Sequence, residues 1–179
     1  HAWQQTDDIH THMLYFLENH DEQRIASHFF AGKAEKGIPA TIATALMRTN
    51  PVMLYAGQEY GEQGMDNEGF SGKDGRTTIF DYWCVPSLYH AYVDRRKLTA
   101  EEKHLHTAYQ AIMQIAAKEK AVAEGEFFDL MYVNQHLHDV YAYLRKAGNE
   151  LLLVAANFSE REHMALLNIP AHAMRYLNI

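Results

Sequence analysis

Glu18, Asn19, His20, Asp21, Glu22 and Arg24 crowd into positions 18–24, directly behind the apolar run Met13 to Leu17. The run has the length and composition of a fully buried strand. A buried strand that delivers a carboxylate, an imidazole and a guanidinium to one edge is how a parallel barrel builds its active face. A solvated loop could hold the same groups, but no Gly or Pro separates this cluster from the strand. Asp21 is equally suited to cap the N-terminus of a following helix, and spacing alone does not separate the two roles. Arg24, one turn beyond Asp21, is placed to pair with a carboxylate, and in that role it would keep Asp21 ionised.

Twelve histidines offer a second chemistry, because three pairs have the form His-x-His: His10/His12, His104/His106 and His136/His138. On a strand such a pair faces one side and makes half a zinc site. No nearby Cys or acid completes a ligand set, and on a helix His104 and His106 point about 200° apart. Zinc is not expected. Asn157-Phe158-Ser159 fits a glycosylation sequon but also falls within a strand pattern.

The elements that would position the cluster follow in order. Ile25 to Phe30 reads as a short helical turn closed near Gly32, and Pro39 opens a helix to about Arg48 with Ile42, Ala45, Leu46 and Thr49 on one face. Asn50-Pro51 stops it, since the residue before proline leaves the helical region. Val52 to Tyr55 is a second short apolar strand, followed by Ala56-Gly57-Gln58-Glu59-Tyr60-Gly61. Strand, polar edge, helix, strand, polar edge is the βαβ rhythm of a parallel sheet. Glu59 would line the site or anchor the Gly57 turn. Residues 61–81 carry five glycines among charged groups and read as a long loop, of the kind that is usually functional or disordered. Tyr82 and Trp83 beyond it could offer an apolar ring face with a polar handle to a ligand or pack the loop.

Thr99-Ala100-Glu101-Glu102 is a capping box opening a helix to about Lys118, with Leu105, Ala108, Ile112, Ile115 and Ala116 as its buried stripe. From Val122 the period changes to strand: Glu126 to Asn134, Val140 to Lys146 and Leu151 to Phe158, the last two joined around Gly148-Asn149. His163 to Ile169 and Ala173 to Ile179 are two further strand candidates. Consecutive antiparallel strands after a βα region indicate a separate β domain.

Phe16-Leu17-Glu18-Asn19-His20-Asp21 resembles the F-[LV]-x-N-H-D signature of the α-amylase family, glycoside hydrolase family thirteen. Pro51 to Gly61 resembles the P-x-x-Y-x-G-x-E-x-G stretch that closes the eighth strand of its barrels. Asp74-Gly75-Arg76 with Phe80 to Trp83 resembles the lead into the last barrel helix, and Val140 to Arg145 with Val154 to Ser159 is similar to the family's C-terminal β-sandwich. The resemblance covers about residues 13–160. It implies an α/β plus all-β fold: the last two βα units of a (β/α)8 TIM barrel over residues 1–120, then a partial antiparallel β-sandwich over 121–179.

That resemblance further implies a retaining hydrolase acting on α-glucans such as starch and maltooligosaccharides. Asp21 would be its transition-state stabiliser, and His20, Asn19, Arg24, Glu59 and Trp83 would bind substrate. The nucleophile and general acid belong to earlier strands, so this chain alone is expected to be inactive. A transglycosylase or isomerase of the same family, such as a glucanotransferase or trehalose-forming enzyme, would use the same Asp21. A non-catalytic binding module would not need to keep both His20 and Asp21. No cofactor is expected in this segment, with calcium left to the remainder of the protein.

Composition bounds these readings. The chain has 179 residues, 47% of them apolar, and a net charge of −7 from 16 Lys and Arg against 23 Asp and Glu. That balance argues against nucleic acid or an anionic membrane as partner and suits a neutral ligand such as a sugar. Cys84 is the lone cysteine and cannot form an internal disulfide. No apolar run approaches the roughly 18–20 residues of a membrane-spanning helix. The opening His1-Ala2-Trp3-Gln4 does not look like a native start, so the chain is read as a piece of a longer protein, with its compartment undetermined.

Overall fold

The computed structural model describes residues 9, 12–47, 49–64, 74–77, 79, 84–162 and 164–179. Its contacts divide the chain into two units: Tyr15–Thr41 with Val52–Ala111, and His1–Leu14 with Ile42–Pro51 and Ile112–Ile179.

The first unit holds strand β1 (Tyr15–Phe16) beside β2 (Val52–Met53). They run parallel, with Tyr15 opposite Val52 and Phe16 opposite Met53. Parallel neighbours cannot be joined by a tight turn, and the crossover here carries helix α1 (Gly37–Met47). The βαβ unit expected from the sequence is present. Its strands are shorter and less covered than expected, because Met13, Leu14 and Phe16 are all exposed. A parallel strand is buried only when both faces and both edges are covered. Among the described residues this sheet has two strands, so the apolar run keeps much of its surface.

Residues 25–32 form successive turns rather than a helix, and Gly32, in the left-handed region, closes them by donating its N–H to Ser27 O. In α1, Ala45 and Leu46 are buried as expected, whereas Ile42 is half-buried and Thr49 exposed; Arg48, its expected end, lies outside the described residues. Helix α2 (Pro86–Tyr92) starts on a proline that has no N–H to leave unsatisfied. Helix α3 (Ala100–Lys118) is capped as the sequence foretold. Glu102 N–H donates to Thr99 Oγ1 at 3.1 Å and Thr99 N–H to Glu102 Oε2 at 2.7 Å. Its most buried positions are Leu105, Tyr109 and Ile112 rather than the full expected stripe, and Ile115 is exposed. Tyr109 displaces Ala108 because its hydroxyl finds polar partners inside, Thr41 Oγ1 and Gln58 Nε2, each at 3.2 Å. Burial pushes that phenol's pKa up.

The second unit is built on β3 (Glu126–Asp129), β4 (Val140–Ala147) and β5 (Glu150–Asn157), an antiparallel sheet in sequence order, preceded by the short helix α4 (Lys120–Ala123). Gly148 and Asn149 form the two-residue hairpin turn, Gly148 in the left-handed region such turns require. β3 ends at Asp129, short of the expected Asn134, because Met131–Val133 winds into a 3-10 turn. Gly125 is the one residue that fits at its position, since a Cβ would meet Ala121 O at 2.2 Å.

Two strand expectations are corrected. The described residues of 163–169 form no strand, and 173–179 contain helix α5 (Ala171–Tyr176). Ala173 and Leu177, four apart, are the buried pair in that segment and pack with Leu130, Val140, Ala142 and Leu144. Helical spacing therefore governs it rather than alternation. The described residues of this unit make one sheet covered on a face by α5, not two facing sheets. Arg145, buried in β4, donates to the carbonyls of Met47, Ala121 and Val122, which are late in α1 and in α4. It satisfies acceptors that those helix ends leave open.

Candidate active site

The polar cluster lies where β1 stops, and it divides into a buried layer and an exposed one. Glu18 and Arg24 form the buried layer, at 2% and 1% exposure. Glu18 Oε2 accepts from Arg24 Nη1 at 2.8 Å, and Oε1 accepts the backbone N–H of Ile25 at 2.6 Å. Arg24 Nε donates to Thr77 Oγ1 at 2.8 Å and Nη2 to Ala56 O at 2.7 Å, while its guanidinium lies 4.2 Å from the centre of the Tyr55 ring. One side chain thus ties the exit of β1, the exit of β2 and the returning loop at Thr77. Burial pushes the Glu18 carboxyl above its ordinary range, with Arg24 and the Ile25 N–H pulling the other way.

The expectation that Arg24 would pair with Asp21 is corrected, since its carboxylate is Glu18. The expectation rested on a helical turn between Asp21 and Arg24, and the chain there makes bends instead. Arg24 also lies too deep to meet a ligand at the surface of this unit.

His20 and Asp21 form the exposed layer. Their side chains are 50% and 77% exposed, with His20 Nε2 3.5 Å from Asp21 Oδ1. Asn19 Oδ1 accepts the N–H groups of Asp21 at 2.8 Å and Glu22 at 2.9 Å. The capping role weighed for Asp21 therefore falls to Asn19, in an Asx-type turn. No helix begins at Asp21, and its carboxylate points into open space beside an imidazole. A ligand hydroxyl could accept from that imidazole and donate to that carboxylate at once.

The second strand exit is held by the Gly57 turn expected there, but through Gln58 and Glu62, whose roles were not expected. Gly57 and Gly61, both in the left-handed region, flank the 3-10 turn Gln58–Tyr60. Gln58 Oε1 accepts the Tyr55 N–H at 3.3 Å, so the turn is anchored by Gln58 rather than by the half-buried Glu59. Glu62, buried, accepts from Gly64 N–H at 3.0 Å, and from Ser87 N–H at 3.2 Å and Ser87 Oγ at 2.6 Å. The signal was a carboxylate directly after the Gly61 turn, a position that calls for an acceptor of loop N–H groups. Arg24 N–H donates to Gly75 O at 2.9 Å, which brings the described part of the glycine-rich loop to the same place. Trp83, with Phe80, Asp81 and Tyr82, lies outside the described residues.

Among the described residues no three His, Cys, Asp or Glu side chains group as a metal site. His106 instead stacks on Tyr60, ring centres 4.7 Å apart and 11° from parallel. His10 and His163 lie outside the described residues. Cys84 is exposed. No helix among the described residues is long and apolar enough to cross a membrane.

Parallel strands joined through a helix, with functional groups at the strand exits and antiparallel strands after them, define the class of fold. Solved structures share the fold. AmyP, solved in complex with maltose, matches 88% of this chain at 19% identity and a TM-score of 0.60, over 33% of its own length. A mutant of isomaltulose synthase from Erwinia rhapontici NX5, solved with D-glucose, matches 87% at 20% identity and a TM-score of 0.54, over 36% of its own length. The chain thus spans about a third of the structures it matches, and what it shares with them is the fold. No protein-family model and no curated protein matches the sequence.

Proposed function

We propose that this chain is the C-terminal part of an α-amylase-type glycoside hydrolase of family thirteen, acting on α-glucans with retention of configuration. Residues 1–120 would complete the (β/α)8 barrel, and 121–179 would belong to its C-terminal β-sandwich domain. The observation that carries the reading is the exposed His20–Asp21 pair at the end of β1, held on a buried Glu18–Arg24 base. The likeness of fold to a maltose-bound structure agrees with it.

In this reading Asp21 and His20 grip ring hydroxyls, and the contact strengthens as the sugar distorts toward an oxocarbenium-like transition state. Asn19 contributes its amide NH2, because its carbonyl oxygen is occupied by the turn. Glu59 and Trp83 would line the subsite, and Arg24 acts by positioning. The two carboxyl groups of the covalent mechanism stand roughly 5–5.5 Å apart in such enzymes and come from outside this chain. The chain alone is then inactive, and any calcium is bound elsewhere.

The test is to give the full source polypeptide maltooligosaccharides and follow new reducing ends and their anomeric form. Release of α-anomers supports the proposal; release of β-anomers, or no turnover, overturns it. The isomaltulose synthase likeness favours one alternative, a transglycosylase or isomerase on the same fold, which would show longer or rearranged products instead.

A further inference from the structure

We propose that Glu62 is a positioning residue for the reaction, holding the Asp21 loop in place through the contact of Gly64 with Gly75. The inference rests on the role proposed above for Asp21; the clamp itself rests on geometry. Glu62 is 4% exposed and makes no substrate contact in that reading. Both of its carboxylate oxygens are engaged inside the first unit. Oε1 accepts from Gly64 N–H, and Oε2 accepts from Ser87 N–H and Oγ. Its own N–H donates to Gly57 O at 3.0 Å. One residue thus fastens the turn after β2, the first residues of the glycine-rich stretch and the start of α2.

The path from Glu62 to Asp21 runs through two glycines. Gly64 and Gly75, both in the left-handed region, lie backbone against backbone, since a Cβ on Gly64 would collide with the carbonyl of Gly75. A Cβ on Gly75 would in turn strike Ser27. The same Gly75 carbonyl accepts Arg24 N–H at 2.9 Å. The backbone carrying Asp21 is therefore tied on both sides, by Asn19 Oδ1 where it leaves β1 and by Gly75 O at Arg24. The second tie depends on where Gly75 stands, and Glu62 fixes the Gly64 that Gly75 packs against. The Glu18 carboxyl, pushed up first by burial, is pushed further by the Glu62 charge, so the two buried carboxylates lie within electrostatic reach of each other. A group that must meet a transition state tolerates little displacement, and a misplacement of about 1 Å can cost about a hundredfold in rate.

The experiment measures kcat and KM on maltotriose, with urea midpoints, for the full source polypeptide and its Glu62→Gln, Asp21→Asn and Asp21→Asn/Glu62→Gln variants. Gln keeps the shape of Glu62 but must turn an NH2 onto one of the N–H groups that the carboxylate held. Glu62→Gln should lower kcat about tenfold with KM within about twofold, and exchange of the Arg24 amide should quicken. In the Asp21→Asn background the same substitution should cost nothing further, because the group it positions is gone. Ser87→Ala, which removes the hydroxyl donor alone, should give a smaller fall in kcat and is the variant to read if Glu62→Gln does not fold. A kcat equal to the parent's in the folded variant overturns the positioning role, whatever the urea midpoint does. A fall that persists undiminished in the Asp21→Asn background also overturns it, since Glu62 would then act independently of Asp21. Asp21→Asn with an unchanged kcat, or a parent that does not turn over maltotriose, refutes the function proposed above and takes this inference with it. A depressed Asp21→Asn beside an unaffected Glu62→Gln refutes this inference alone.

Discussion

Removing the Arg24 guanidinium tests the base of the site. Arg24→Met keeps the unbranched stem of the side chain and deletes three donors at once, to Glu18, Thr77 and Ala56. Thr77 can reorient its hydroxyl, and Ala56 is exposed, so its carbonyl can turn to water. Glu18 at 2% exposure has no such recourse. Breaking a buried pair from one side costs about 3–5 kcal/mol, and because Glu18 can take up a proton instead of staying charged, the lower end is expected. The double variant Glu18→Met/Arg24→Met removes the stranded charge as well. It should recover part of that loss, leaving about 1–3 kcal/mol for the Ile25 N–H left without its acceptor. Hydrogen exchange of the Ile25 amide reads this locally, and urea unfolding reads the unit. An Arg24→Met protein within about 1 kcal/mol of the parent would refute the view that the pair holds the two strand exits together.

Other consequences are local. Glu18 titrates near 4.5 when unfolded and higher when folded, so stability should be full below about pH 4.5 and fall as pH rises through the window above it. Glu18→Gln should flatten that slope in urea midpoints taken between about pH 4 and 7. Arg145→Met strands three helix-end carbonyls in the second unit and should cost about 2–4 kcal/mol, read as faster exchange along β4. Thr99→Ala removes one half of the α3 capping box and should cost about 1 kcal/mol in thermal unfolding, with Thr99→Ser close to neutral.

Local chemistry was legible in the sequence. Thr99 and Glu102 announce a helix start, Gly148-Asn149 a hairpin, and two polar runs behind apolar ones announce strand exits. Partner choice was not legible. Glu18 and Asp21 both lie within reach of Arg24 along the chain, and only the bends at 19–24 decide that Arg24 turns inward to Glu18 and leaves Asp21 outside. Glu62 was missed because its partners, Gly64 and Ser87, include one 25 residues away. At the C-terminus Ala173 and Leu177 fit a helix, and Pro170 directly ahead of it is a usable start signal in a segment expected to be a strand. Burial of the first strand was overestimated for a different reason. Apolar composition shows what a segment can bury but not whether a neighbour covers it.

The most direct test of the central claim is Asp21→Asn in the full source polypeptide, with kcat and maltooligosaccharide binding measured side by side. Asn keeps the shape and removes the charge. A transition-state role predicts a fall in kcat of about a hundredfold or more with sugar binding and folding retained. An active enzyme with unchanged kcat would show that Asp21 is an exposed loop residue and that the site lies elsewhere.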